Sequence, residues 1–252
     1  MIIKPRDRVL DRRIPKSFEH VTKYPGRALR MISQVPAIVE VNLKTPNQKK
    51  YQGFSDQLNE GACVGFGESI AMSILNRRLY DPWWLYREAQ IIDPWPETPP
   101  EAGTDLASGF DVLRTRGHRR IYAGESKPPK IDEGIVAVNR WITSVDEGRA
   151  ALANKIPAVD GIAWFDAFYE PIQRRVKVNG RYRTEYWLPE PDKWGHLAGY
   201  HCICRTAASD DRQAFGYTNS WGTSYPWPVY ISYEGHNKLM QIQGESAVVT
   251  DR

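Results

Sequence analysis

The stretch Gln57-Leu58-Asn59-Glu60-Gly61-Ala62-Cys63-Val64-Gly65-Phe66 constrains this chain more than any other. A turn-rich segment ends in two small residues and a cysteine. The residues after it read as helix: Phe66, Ile70, Ile74 and Leu75 fall at helical spacing, and Arg77 and Arg78 precede the stop at Asp81-Pro82. Cys63 is thereby expected in the first turn, where unpaired backbone N–H groups and the positive end of the helix dipole favour thiolate over thiol. A glutamine just upstream, Gln57, can turn its amide toward the same point and donate to a developing oxyanion. A single cysteine is also an ordinary core residue, so the far end of the chain has to decide between the two readings.

That far end holds Gly199-Tyr200-His201-Cys202-Ile203-Cys204-Arg205 and then Asn219-Ser220-Trp221-Gly222-Thr223. Together with the cysteine stretch, these residues resemble the papain-like cysteine peptidases, in particular their compact bacterial and phage members. The resemblance implies Cys63 as nucleophile, His201 as base, Asn219 as the residue that orients the imidazole, Gln57 as oxyanion donor, and Trp221 as a cover over the Asn219–His201 contact. His201 follows Cys63 by about 140 residues, within the roughly 130–150 of that family. It further implies an α+β, two-lobed fold, with a helical lobe and a β-barrel-like lobe flanking the active-site cleft. The expected activity is peptide-bond hydrolysis of a protein or peptide substrate through an acyl-enzyme, with no cofactor. Two other readings stay open: a papain-fold structural or binding module, for instance in a phage particle, and an amidase or transferase sharing the acyl intermediate.

His196 is a rival base within Gly195-His196-Leu197-Ala198, but it would precede the strand that carries His201. The remaining histidines, His20, His118 and His236, read as surface or satisfied core. A metal site from His196, His201, Cys202 and Cys204 is disfavoured, because Cys-x-Cys lacks the spacing of structural zinc ligands. Cys202 and Cys204 would share one face of a strand, a poor geometry for bonding each other, so a disulfide-free protein of a reducing compartment is expected.

The 252-residue length and 41% hydrophobic content suffice for two packed lobes. No run of apolar residues is long enough to span a membrane, and the first residues lack the pattern of a signal peptide. Cytoplasmic location is the expectation, or virion association if the chain is phage-encoded. Residues 1–50 carry 12 Lys+Arg against 4 Asp+Glu. Residues 1–34 read as a basic arm with three prolines, in the place of a propeptide; it either contacts an acidic partner or nucleic acid, or is a solvated or lobe-packed extension. Residues 35–140 read as the helical lobe. It holds an extended Val35–Val41 segment, a helical patch at Trp83–Ala89, a loop over Asp93–Gly103, and a helix from N-cap Thr104 through Arg116. Its aromatic residues read as core packing.

Residues 141–252 read as the β-rich lobe. Ser144-Val145-Asp146-Glu147 is a capping box, and Pro157–Trp164 a buried strand. Lys177–Trp187 is a hairpin turning at Asn179-Gly180. His201–Arg205 and Phe215–Asn219 are strands whose alternation lets His201 and Asn219 face one cleft. Beyond Thr223 the run Ser224-Tyr225-Pro226-Trp227-Pro228 departs from the family's glycine-rich turn.

Overall fold

The computed structural model describes Leu10 and residues 37–38, 40–95, 102–121, 130–133 and 138–250. Apart from Leu10, the basic arm of residues 1–34 lies outside the described residues, as does His20. In chain order the elements are β1 (Val41–Asn42), α1 (Gln48–Phe54), α2 (Cys63–Asn76), α3 (Pro82–Ile92), α4 (Leu106–Thr115), β2 (His118–Arg119), β3 (Ile131–Asp132), β4 (Val138–Trp141) and α5 (Val145–Ala153). They continue with β5 (Ala158–Phe165), β6 (Ile172–Val178), β7 (Arg181–Trp187), β8 (Leu197–Ser209), β9 (Ala214–Thr218), β10 (Val229–Ser232), α6 (Tyr233–Gln241) and β11 (Glu245–Thr250). No helix among the described residues is long and apolar enough to cross a membrane.

Helix starts follow local chemistry. Asp81 caps α3 by accepting from Trp83 N and Trp84 N at 3.1 and 3.2 Å, with Pro82 in the first turn where its missing N–H costs nothing. Ser144 caps α5 as the capping box requires, accepting from Glu147 N at 3.2 Å. The cap of α4 is Asp105 rather than Thr104: the Asp105 carboxylate accepts from Ser108 N at 2.8 Å. Thr104 instead donates its hydroxyl to Asp93 at 2.9 Å and ties down the preceding loop. Both side chains can cap, and the neighbouring Asp93 decides which one does.

The strands form a nine-stranded sheet in the order β4-β11-β5-β8-β9-β10-β7-β6, with β1 added against β8. Sequence suggested a barrel-like lobe; the sheet is open, running from β4 to β6 without closing. Near one end β7 joins β10 through two residue pairs only, so the β6–β7 hairpin continues as an exposed ribbon. The hairpin turns at Asn179 and Gly180, both at positive φ (50° and 76°), which is the backbone a two-residue type I′ turn needs. Its first strand begins at Ile172, five residues ahead of the Lys177 start read from sequence. Likewise β8 begins at Leu197 and runs through Ala208 and Ser209, so the turn to β9 is shorter than the pattern implied.

Two cores meet at β8. On one face Cys202 and Cys204 pack with Val64, Ile70, Phe110 and Leu113 of the helices. On the other, Ile203 and Ala208 pack with Trp164, Phe215, Tyr217 and Trp221. Alternation along a strand buried on both sides produces this division. Arg205 and Asp160, both fully buried, form an ion pair at 2.9 Å that Ser246 bridges, pinning β8, β5 and β11.

Helix α2 is buried from Cys63 to Ile74. A methyl group added at Gly67 would stand 2.8 Å from Cys202 Sγ and 3.3 Å from Val159 Cγ1, so the helix lies directly on the sheet. Next along, the Glu68 carboxyl is sealed against Gly109 of α4, and neither oxygen has a hydrogen-bond partner among the described residues. Burial, reinforced by Asp105, Glu245 and Asp111, raises its pKa well above 4.5.

Two outcomes are expected for stability. Gly67→Ala should lower the urea-unfolding free energy by about 1–3 kcal/mol. Gly53→Ala, in α1 with nothing within 4 Å of the added methyl, should leave it unchanged or raise it. The second concerns pH. The unfolded chain releases the Glu68 proton near 4.5 while the folded chain keeps it, so stability declines as pH rises above 4.5, by about 1.4 kcal/mol per unit until the folded pKa is reached. Glu68→Gln should remove that decline in unfolding curves collected from pH 5 to 8; an unchanged slope would assign the pH dependence to other groups.

Candidate active site

His201 stands on the aromatic side of β8. In the pairing with β5 it lies opposite Ile162, which places Trp164, two residues on, beside it. The Trp164 ring meets the imidazole edge-on at 4.8 Å between centroids, and Trp221 lies across it at 5.0 Å and 31°. Tyr169 stacks on Trp221 at 5.7 Å. His201 Nε2 contacts Asn219 Oδ1 at 2.7 Å. Oδ1 also accepts the Ser220 backbone N–H at 2.7 Å, which fixes it as the oxygen, so the ring proton in this contact sits on Nε2. Strand alternation therefore brings His201 and Asn219 together, although Asn219 falls one residue past the end of β9.

Gln57 joins the same set through Ser220. Its backbone N–H donates to Ser220 O at 2.9 Å, the Ser220 hydroxyl donates to its Oε1, and its Nε2 donates to Glu60 O at 2.8 Å. An isolated bridge between Asp56 and Trp221, and a bond from Gly222 N to Ser55 O at 2.9 Å, zip the loop ahead of α2 to the segment after Asn219. Cys63 comes next as the first residue of α2, and no side chain caps that helix N-terminus. The cap position is held by Ala62, whose side chain has no acceptor to offer the first turn.

The residues expected to line the cleft are enclosed in the structure. Cys63, His201, Gln57 and Asn219 are all fully buried. Aromatic rings cover the imidazole from one side. Leu10 covers the strand next to it: a methyl group at Gly199, two residues before His201, would stand 3.0 Å from Leu10 Cβ. Residue type alone carries no record of such covering, because it comes from a segment distant in sequence.

His196 is exposed ahead of β8, its carbonyl accepting from Asp166 N at 3.0 Å. His118 is buried against Ser69 Oγ at 2.8 Å, stacked with Tyr80, and burial lowers its pKa to about 3. His236 is buried beside the Tyr217 hydroxyl, 2.6 Å from Nδ1, and burial likewise lowers its pKa well below 6.5. All three cysteines are free thiols. Burial, then the charge of Asp160, pushes the Cys204 thiol well above 9.0. Among the described residues no group of His, Cys, Asp or Glu side chains is arranged to hold a metal ion.

Sequence reasoning missed three contributors. Trp164 could have been found from strand register, had the β5–β8 pairing been known. Ser220 looks like a spacer between Asn219 and Trp221. Trp227, in the proline-flanked run, donates its indole N–H to Asn219 O at 2.7 Å and fixes the residue that holds the imidazole.

No protein-family model matches the chain. An alignment of 127 positions that takes in 46% of this chain is 25% identical to a curated protein described as "Probable allantoicase" from Nocardia farcinica, and it takes in 38% of that protein's length. Among solved structures, xylellain, a cysteine protease from Xylella fastidiosa, superposes with a TM-score of 0.69 at 16% identity over 96% of both chains. A procathepsin B from Trypanosoma congolense gives 0.61 at 11% identity, covering 100% of this chain and 89% of that one. The digestive procathepsin L2 of the Tenebrio molitor larval midgut gives 0.59 at 15%, covering 98% and 79%. The fold is that of the papain-like cysteine proteases, an α+β arrangement of helices and sheet.

Proposed function

We propose that this chain is a papain-like cysteine peptidase of the compact bacterial or phage type, with Cys63 as nucleophile, His201 as base, Asn219 as its orienting residue and Gln57 in the oxyanion hole. The observation that carries the reading is the 2.7 Å contact from His201 Nε2 to Asn219 Oδ1 beneath Trp221. A histidine held through Nε2 presents Nδ1 for proton transfer, which is the division of labour a nucleophile–base–orienter set requires. The uncapped N-terminus of α2 at Cys63 supports it further, since first-turn N–H groups can serve an anion there.

In the proposed cycle the Cys63 thiolate attacks the carbonyl carbon of a peptide bond and forms the C–S bond. Negative charge collects on the carbonyl oxygen, where the Cys63 backbone N–H and the Gln57 amide stabilise it; one such donor contributes about 3 kcal/mol. His201 gives its Nδ1 proton to the leaving nitrogen as the C–N bond breaks. Water then attacks the thioester, His201 takes one of its protons, and the carboxylic acid leaves with Cys63 restored as thiolate. Asn219 keeps the ring in one orientation throughout, and Trp221 keeps water from the Nε2–Oδ1 bond.

Burial of Cys63 favours a second reading, a papain-fold binding module that does no chemistry. Under the peptidase reading the cover is removable, and Leu10 against Gly199 points to the segment that must leave.

Two measurements separate these. Iodoacetamide or an epoxide at mildly acidic pH should label Cys63 selectively, with Cys202 and Cys204 inert, and His201→Ala should slow the labelling about tenfold or more. Labelling of Cys63 no faster than of Cys204, with residues 1–34 present and with them deleted alike, would leave the binding module. Deleting residues 1–34 is expected to raise hydrolysis of a quenched-fluorescence peptide library, and an unchanged rate would remove any covering role for that segment.

A further inference from the structure

The β6–β7 hairpin takes no part in the site described above. Residues 172–187 hold Arg174, Arg175, Lys177, Arg181 and Arg183 against Glu185 alone, a net of +4 that equals the formal charge of the whole chain. Strand pairing sorts these residues onto two faces. On one face most charges are used by the protein itself: Arg174 bonds Glu190 at 2.7 Å and covers Trp187, Arg183 reaches Glu40 at 3.0 Å, and Glu185 holds Arg212 at 2.5 Å, while Arg181 at the turn stays exposed. The other face is built from three cross-strand pairs, Gln173 with Tyr186, Arg175 with Thr184, and Lys177 with Tyr182. All six side chains are exposed, and none is acidic.

Among the described residues no ion pair uses Arg175 or Lys177. The Arg175 guanidinium lies over the Tyr182 ring, 4.5 Å from its centroid, and Gln173 donates to the Tyr186 hydroxyl at 2.9 Å. Tyr182 is 62% exposed and Tyr186 40%. The face therefore presents two uncompensated cations and two rings on a two-stranded ribbon, with same-face residues about 7 Å apart along each strand.

We propose that this face of the hairpin binds single-stranded nucleic acid, Arg175 and Lys177 neutralising phosphates while Tyr182 and Tyr186 stack on bases. Charge alone would equally suit an acidic polypeptide. The interleaved rings favour a ligand that has both anionic and aromatic parts, and only unpaired bases offer their faces to a tyrosine. This inference is independent of the peptidase reading.

The test uses the full chain and a fluorescein-labelled oligo-dT or oligo-U of about 20 nucleotides, read by anisotropy between about 50 and 200 mM salt. The Arg175→Ala/Lys177→Ala pair should weaken binding about tenfold at the lower salt and flatten the slope of log affinity against log salt by about 1.4. Tyr182→Ala should weaken oligonucleotide binding about fivefold or more while leaving heparin binding unchanged. Four results would overturn the proposal: no oligonucleotide binding at low salt; binding indifferent to the double substitution, which would assign it to the basic residues 1–34; Tyr182→Ala affecting both ligands alike or neither; and polyglutamate competing as well as unlabelled oligonucleotide, which would mark an acidic-protein surface.

Discussion

Everything in this structure depends on how closely α2 approaches its neighbours. The helix is threaded between α3 on one side and β8 on the other, and glycines mark both contacts. A methyl at Gly65 would stand 2.5 Å from Pro82 O, and one at Gly67 2.8 Å from Cys202 Sγ. Glycine inside a helix costs about 1 kcal/mol relative to alanine. Here the alternative is a steric collision on each side, which costs more. The small Cys202 on the facing strand belongs to the same constraint. Seated at this depth, α2 brings its first residue, Cys63, down among the strands, and it carries Glu68 out of reach of water.

From that placement β8 does two jobs with one alternation. Its Cys202 and Cys204 form the floor for α2, while His201 and Ile203 look to the opposite, aromatic side. A slip of one residue would exchange the faces and put the imidazole under the helix. Register is held by the long pairing with β5 and by β9, which delivers Asn219 to Nε2. The loop ahead of α2 is fastened to Ser220 and Trp221, so glutamine, cysteine, histidine and asparagine are set by one connected framework although they come from separate parts of the chain.

Local chemistry was the legible part. The helix at Cys63, the Ser144 capping box, the Asn179-Gly180 turn and the shared face of His201 and Asn219 each arise from a few neighbouring residues. What sequence left out depends on residues far apart. Asp105 rather than Thr104 caps α4 because Asp93 claims the threonine. The strand β8 extends to Leu197 because Phe165 and Trp164 pair with it, which alternation within 201–205 cannot reveal. Trp164 and Trp227 acquire roles only through register and through a proline-flanked turn. The outermost hairpin buries Val178 and Trp187 on one face and keeps the other polar and exposed, a property of two strands together.

The burial of the site sharpens the chemical question. An imidazole, two amides and a hydroxyl are enclosed here against Trp164, Trp221, Tyr169 and Tyr225. As a device for stability this is poor, because a buried polar group regains at best a modest net amount over its bonds to water, and an apolar replacement of equal volume does as well or better. Other enclosed polar groups of this chain, Arg205 with Asp160 and His118 with Ser69, are likewise held by partners rather than left to apolar packing. The polar set is also ordered: one oxygen, Asn219 Oδ1, receives both the imidazole and the Ser220 N–H, which selects a single tautomer and a single ring position. His118 beside Ser69 and His236 beside Tyr217 are ordered in the same way, so selection of one ring nitrogen follows from burial; at His201 the selection also turns Nδ1 to the side of the ring away from Asn219.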